Sequence, residues 1–151
     1  MKHEKVHDFM RHHPMGVLST VSGDGTPWGS AIYYVVDEDL NCYFVTRGGT
    51  QKYKNLETSP EVALTIVDSA TQTTVQLIGK VTPLPVQEYF DIFFDKFAKL
   101  RPQEDLSWAP PIEKIHKGNF MPLKITPSHL QYANYGHQKS DAMADYIEKI
   151  I

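Results

Sequence analysis

Hydrophobic and polar positions follow two different periods along the chain, and these periods predict where the helices and strands lie. Apolar positions recur at helical spacing over residues 2–13, 53–58 and 85–100, which predicts three helices. Shorter apolar or alternating runs bounded by Gly, Pro and Asp predict strands. The strands are expected at residues 15–21, 28–36, 41–46, 61–68, 73–82, 121–126 and 128–133, with a terminal helix at 141–151.

The order of these elements predicts the fold class. Three strands joined by short polar turns form a meander over residues 15–46, and further strands flank the long helix at 85–100. Strands dominate and do not alternate regularly with helices. The pattern therefore indicates a mainly β (α+β) chain built as a closed or split barrel, not a doubly wound sheet. The length of 151 residues fits a single domain, with an irregular segment at 101–117.

Composition and charge exclude several function classes. The formal net charge of −3 argues against a general nucleic-acid binder, which usually carries a basic excess. No run approaches the roughly 20 apolar residues of a membrane span, and the charged first residues do not resemble a signal peptide. A cytoplasmic location without membrane partners is expected. The one cysteine, Cys42, lies in a strand pattern and is interpreted as a small buried hydrophobe, not a reactive thiol.

The loop at residues 46–52 is the most informative candidate site. It lies between a strand and a helix, contains two glycines, and carries the hydroxyls of Thr46 and Thr50 ahead of Lys52. Backbone N–H groups at a helix start, hydroxyl donors and a lysine together can hold a phosphate. A solvated turn leading into a surface helix explains the same residues, so both interpretations stay open. The ending of a Walker loop is absent.

Other candidate chemistry is weak. His3 and His7 are four residues apart on one predicted helix and could share a metal, but no carboxylate or cysteine pattern completes a site, so no metal is predicted. The acidic run at 37–39 is interpreted as a charged turn. No serine lies in a nucleophile elbow. The sequence names no catalytic residue, which is compatible with an enzyme whose cofactor carries the chemistry.

Several segments, read in order, carry a family resemblance. They are GVLST at 16–20, DGTPWGS at 24–30, AIYYVVD at 31–37, YFVT at 43–46, KYKNL at 52–56, SPEVAL at 59–64, VQLIGKV at 75–81 and LKITP at 123–127. Together they resemble the FMN-binding split-barrel proteins of the pyridoxamine 5'-phosphate oxidase-like superfamily, over roughly residues 5–135.

The resemblance implies a six-stranded antiparallel split barrel that forms a homodimer with two FMN sites at its interface. Thr46, Thr50, Gln51 and Lys52 are implied to hold the FMN phosphate. The isoalloxazine is implied to lie against the strand carrying Ser30, Ala31, Ile32 and Tyr33, partly through its backbone. Gln76 lies on the strand that in relatives sends a polar side chain towards the ring. Trp28 and Trp108 are either packing residues or walls of such a site.

The chain departs from authentic pyridoxamine phosphate oxidases. No Arg or Lys occurs between Trp28 and Val36, Gln51 stands where a second basic residue is expected, and no Trp or Arg follows Trp108. Oxidation of vitamin B6 is therefore not expected, and the chain resembles the general-stress-type relatives.

Three functions remain open at this point. The first is a flavin-dependent oxidoreductase that moves hydride between a nicotinamide or small organic substrate and an acceptor. The second is a non-catalytic FMN-binding, storage or sensor protein. The third keeps the fold but binds a deazaflavin coenzyme or haem. The substrate is not identified.

Overall fold

The computed structural model describes residues 2–100, 119–136 and 146–151. Three helices and eight strands lie in this part of the chain, and we number them in chain order. They are α1 (Lys2–His12), β1 (Met15–Val21), β2 (Pro27–Tyr33), β3 (Val35–Val36), β4 (Cys42–Arg47), α2 (Gln51–Thr58), β5 (Glu61–Asp68), β6 (Thr73–Pro83), α3 (Val86–Leu100), β7 (Phe120–Asn134) and β8 (Ile147–Lys149).

The strands form one antiparallel sheet that curls into a split barrel. Their order is β2-β1-β5-β6-β7-β4-β3, and β8 pairs with the second half of β7. β2 and β3 stand at opposite ends of this order, yet Tyr34 alone separates them along the chain. Two edges can be one residue apart only if the sheet bends back on itself. The predicted mainly β split-barrel fold is therefore confirmed, with eight described strands against the six that the resemblance implied.

Tyr34 is the point at which one predicted strand becomes two. Its N–H donates to the Pro14 carbonyl at 3.0 Å, and its hydroxyl lies 3.0 Å from the Met10 carbonyl and 2.7 Å from that of His13. The residue leaves the ladder to bond the end of α1, so β2 pairs with β1 while β3 pairs with β4. The prediction of one continuous strand at 28–36 is wrong for this reason.

The inside of the barrel follows the alternation predicted from the sequence. In β6 the side chains of Val75, Leu77 and Val81 are buried, while Gln76 and Ile78 face outward. β1 and β5 alternate in the same way around Leu18 and Leu64. Burying each of these aliphatic side chains contributes about 1.5–3 kcal/mol. The alternating strands therefore enclose one continuous core.

β7 is a single strand and not the two that were predicted around Pro127. Its register against β6 shifts between Ile78 and Gly79, where Gly79 pairs with Pro127 and Ile78 with His129. Ser128 is the extra residue of this bulge. A bulge accepts proline because no ladder hydrogen bond is needed from the missing N–H, so the strand continues through it.

The last residues form a strand where a helix was predicted. Residues 147–149 pair with β7, the Ile150 N–H donates to the Leu130 carbonyl at 2.8 Å, and Glu148 pairs with Lys5 at 2.8 Å. These long-range bonds outweigh the weak helical spacing. Residues 141–145 of the predicted terminal helix, and the irregular segment with Trp108, lie outside the described residues. Across the described ranges, no helix is both long and apolar enough to cross a membrane.

Candidate functional site

The loop between β4 and α2 is held in one tight conformation. Thr50 caps the helix, because its hydroxyl accepts from the Tyr53 N–H at 3.2 Å and donates to the Arg47 carbonyl at 2.9 Å. Gly49 has φ of 85°, in the left-handed region that favours glycine. The Gly48 N–H donates to the Asn119 carbonyl at 2.8 Å, which ties the loop to the start of β7. The helix start is thereby fixed relative to two strands.

Thr46 lies at the end of β4 beside this helix start. Its side chain is buried, and its hydroxyl oxygen is 3.5 Å from that of Thr50, at the outer limit of a hydrogen bond. Since the Thr50 hydroxyl already donates to Arg47 and accepts from Tyr53, Thr50 acts first as a helix cap. The structure thus brings Thr46 and Thr50 together as predicted. The Thr50 hydroxyl, however, is already hydrogen-bonded to two backbone groups, the Arg47 carbonyl and the Tyr53 N–H.

Lys52 is the charged group of this loop. It lies in the first turn of α2 and is half-buried, and loss of solvent lowers the pKa of its ammonium group. No carboxylate among residues 2–93, 119–136 and 146–151 forms an ion pair with it. A half-buried cation without a counter-ion is destabilising, and a bound anion would offset that cost.

Two residues that the sequence did not predict anchor α2 to the barrel. The Asn55 amide donates to the Thr20 hydroxyl at 3.0 Å, and both residues are only 1% exposed. The Gln51 side-chain amide donates to the side-chain carbonyl oxygen of Asn55 at 2.8 Å. One N–H of Gln51, a predicted phosphate contact, is therefore already hydrogen-bonded to Asn55. Periodicity could not identify Asn55, because a buried polar residue looks the same in sequence as one on a solvated helix face.

β2 carries the residues predicted to line a flavin ring. Ala31 and Tyr33 are exposed, Ser30 is half-buried, and Ile32 points into the core. Within the described part of the chain β2 pairs with β1 alone, so its other edge presents backbone groups that no strand uses. Ile32 could contact a ligand only through its backbone. Trp28, at the start of β2, is 45% exposed.

Gln76 is not brought close to β2 within one copy of the chain. The register places Ala31, Val17, Thr65 and Gln76 in one row across four adjacent strands. Three strand spacings separate Ala31 from Gln76, or ~14 Å. Gln76 instead accepts a hydrogen bond from the Gln131 amide at 2.8 Å. The nine predicted site residues therefore lie in three places. Four lie at the β4–α2 loop, four lie on β2, and Gln76 lies apart from both sets.

The outer surface of the sheet between these groups is apolar. Seven of the ten exposed large hydrophobic side chains in the described residues lie on β1, β2, β5 and β6: Met15, Val17, Val21, Trp28, Tyr33, Val67 and Ile78. We call this surface the outer apolar face. Exposed apolar surfaces of this kind mark sites of association or ligand binding.

The other candidates do not form a site. Cys42 is fully buried and burial raises the pKa of its thiol, which fits the predicted structural role. Asp37 accepts hydrogen bonds from the Tyr43 hydroxyl and the Asn41 N–H, as expected of a structural turn. Nε2 of His7 is enclosed and has no hydrogen-bond partner in the described residues. Over those same residues no group of three or more His, Cys, Asp or Glu side chains is arranged to hold a metal.

Comparison with known proteins agrees with this architecture. A family model described as Pyridoxamine 5'-phosphate oxidase matches residues 3–133. No curated protein matches the sequence.

Three solved structures show the same fold with different ligands in their names. A pyridoxamine 5'-phosphate oxidase-related, FMN binding protein from Nostoc punctiforme is 12% identical with a TM-score of 0.64, over 98% of this chain and 96% of that one. A heme binding protein from Mycobacterium smegmatis is 16% identical with a TM-score of 0.69, over 99% of this chain and 57% of that one. An F420 reductase is 23% identical with a TM-score of 0.58, over 82% and 94% of the two chains. The shared fold alone therefore does not choose the cofactor.

Proposed function

The chain belongs to the pyridoxamine 5'-phosphate oxidase family, and from this premise we propose that it binds FMN and acts as an FMN-dependent oxidoreductase. The proposed reaction moves hydride between a nicotinamide or small organic substrate and an acceptor. The departures noted in the sequence argue against vitamin B6 as the substrate.

The observation that carries this proposal is the half-buried Lys52 at the start of α2, which forms no ion pair with a described carboxylate. Burial lowers the pKa of its ammonium group, so holding the cation there has a desolvation cost. The buried Thr46 hydroxyl lies 3.5 Å from that of the Thr50 cap, and the first N–H groups of α2 point out of the same end of the helix. These residues fit a phosphate dianion, which would supply the counter-ion that the described residues do not.

The outer apolar face supports the position proposed for the ring, and so does β2, which among the described strands pairs with β1 alone. Backbone groups of residues 30–33 would orient the isoalloxazine, and the apolar side chains would exclude water from it. One copy of the chain leaves Gln76 ~14 Å from β2. A second copy packed on the outer apolar face would bring its own Gln76 to the same ring. We therefore propose a homodimer with shared cofactor sites.

When bound, FMN supplies the hydride and electron chemistry, and the protein supplies position and a dry environment. A non-catalytic FMN-binding protein is the alternative function. Because similar structures include a heme binding protein and an F420 reductase, haem and F420 are the alternative cofactors to test.

The first experiment titrates FMN into the protein and compares Lys52→Gln with Lys2→Gln, a matched loss of an exposed lysine on α1. Lys52→Gln should weaken FMN binding by about tenfold, because one charge-assisted contact is lost. The same variant should be no less stable in urea than the unsubstituted chain, since it removes a desolvated charge. Lys2→Gln should change neither quantity. FMN affinity that Lys52→Gln leaves unchanged would move the phosphate away from this loop.

A second experiment separates the enzyme from the binder. FMN-loaded protein is mixed with NADH or NADPH without oxygen, and the flavin absorbance is followed. Bleaching supports the oxidoreductase, whereas flavin that neither nucleotide reduces favours the binder. A monomeric mass in solution would refute the shared site, and a protein that binds haem or F420 but not FMN would refute the cofactor.

A further inference from the structure

A pocket lies on the surface of the sheet where β8 pairs with β7. It is a surface pocket of about 170 Å³ between β6, β7 and β8. Its polar lining consists of Gln76, His129, Gln131 and Lys149, and its apolar lining of Ile78, Leu130 and Ile151. A cavity of about 150 Å³ is large enough for a benzene ring. The pocket is therefore the size of one small organic molecule.

The two glutamines present one donor group and one acceptor group. The Gln131 amide donates to the Gln76 carbonyl oxygen at 2.8 Å, which holds both side chains in place. This bond leaves the NH₂ of Gln76 and the side-chain carbonyl oxygen of Gln131 for a ligand. Exchanging the two ends of the amides would only swap which residue donates.

His129 adds a ring nitrogen that can accept a hydrogen bond. The Ser128 hydroxyl lies 3.2 Å from the Ile78 carbonyl and can donate to it. Nδ1 of His129 lies 3.2 Å from the same hydroxyl oxygen and can donate to it in one tautomer. In the neutral ring Nε2 is then an acceptor.

Lys149 adds a positive charge to the pocket lining. No acidic side chain is among the residues that line the pocket. Lys149 forms no ion pair with any residue of the described ranges, and the neighbouring Glu148 is paired with Lys5 instead. The Ile151 carbonyl oxygen accepts from the Leu130 N–H at 3.4 Å and is thus part of the strand pairing. Lys149 is therefore the group in this pocket that can pair with an anion.

We propose that this pocket binds a small organic carboxylate that also carries a hydroxyl group. Lys149 and the free amide N–H groups bind the carboxylate. The hydroxyl donates to His129 Nε2, and the apolar side chains contact the body of the ligand. The inference deepens the proposed function in one respect. Gln76 is also the predicted ring contact, so the pocket would place this substrate class beside the flavin of the proposed dimer.

The test is calorimetric titration of the full chain with 4-hydroxybenzoate and with benzoate, each with and without FMN. We expect 4-hydroxybenzoate to bind several-fold more tightly than benzoate. Lys149→Gln should weaken both by about tenfold. His129→Phe should remove the preference for the hydroxylated ligand. Lys80→Gln, an exposed lysine on β6 outside the pocket, should leave both affinities unchanged, and far-ultraviolet circular dichroism confirms that each variant is folded.

Two results would overturn the pocket: no binding of 4-hydroxybenzoate to the unsubstituted chain, or binding that Lys149→Gln does not weaken. Failure of the proposed function is distinguishable from either. A chain that binds 4-hydroxybenzoate but not FMN retains the pocket and loses the flavin. A chain that binds FMN but not 4-hydroxybenzoate does the reverse.

Discussion

Replacing Asn55 by leucine removes the amide that joins α2 to β1 while keeping a side chain of similar volume. The amide donates to the Thr20 hydroxyl at 3.0 Å, and neither residue is more than 1% exposed. In the variant the Thr20 hydroxyl stays buried without this partner. The Gln51 amide also loses its acceptor, although solvent reaches it.

The magnitude follows from the burial of the two partners. A typical hydrogen bond contributes about 0.5–1.5 kcal/mol, and an unsatisfied buried polar group costs about 1–3 kcal/mol. We therefore expect Asn55→Leu to lower the free energy of unfolding by about 2–3 kcal/mol. Thr20→Val, which strands the Asn55 amide instead, should cost about 1–2 kcal/mol. The double variant removes both polar groups and should lose about 1–2 kcal/mol less than the two single losses combined.

The assay is equilibrium unfolding in urea of the four chains that make up this double-mutant cycle. With a slope of about 2 kcal/mol/M, Asn55→Leu should lower the urea midpoint by roughly 1 M. Thr82→Val, an exposed threonine on β6, is the control and should stay within about 0.5 kcal/mol of the unsubstituted chain. Strictly additive losses would show that the two buried groups do not interact, and the account of how α2 is anchored would be refuted.

Two further predictions concern the barrel wall and its acid stability. Gly79→Ala should lower the free energy of unfolding in urea by roughly 1–3 kcal/mol, because the new Cβ would lie 2.5 Å from the Thr126 carbonyl oxygen. Gly23→Ala is the control and should be near neutral, since its Cβ meets nothing within 4 Å. Equal losses in the two variants would contradict the close packing at Gly79. The Thr71 hydroxyl, at 2.7 Å, and the Ala70 N–H hold the pKa of Asp68 below its ordinary value. The stability that ionised Asp68 contributes is complete above the unfolded pKa of about 4 and is lost as pH falls through the lower folded value. Asp68→Asn should therefore flatten the fall of the urea midpoint below about pH 4. An equally steep fall in the variant would refute this.

Local periodicity was sufficient for the elements whose environment is set by their immediate neighbours in the chain. The strands at 15–21 and 61–68 have the predicted bounds, because every second side chain there faces one core. α2 begins two residues earlier than predicted, at Gln51, since its Thr50 cap is a contact between near neighbours that the apolar spacing does not report. The phosphate-loop hypothesis also came from neighbouring residues, Thr46 to Lys52.

What local periodicity could not decide depends on partners that are distant along the chain. Tyr34 divides a strand because its hydroxyl reaches the end of α1, and β7 continues through Pro127 because a bulge opposite Ile78 and Gly79 accommodates it. Residues 147–149 become a strand because β7 offers them an unpaired edge. The buried Asn55–Thr20 bond joins residues 35 positions apart. The alternation of apolar and polar residues predicts which face of a strand is buried. It does not predict which strand or side chain that face meets, because that partner is set only when the chain folds.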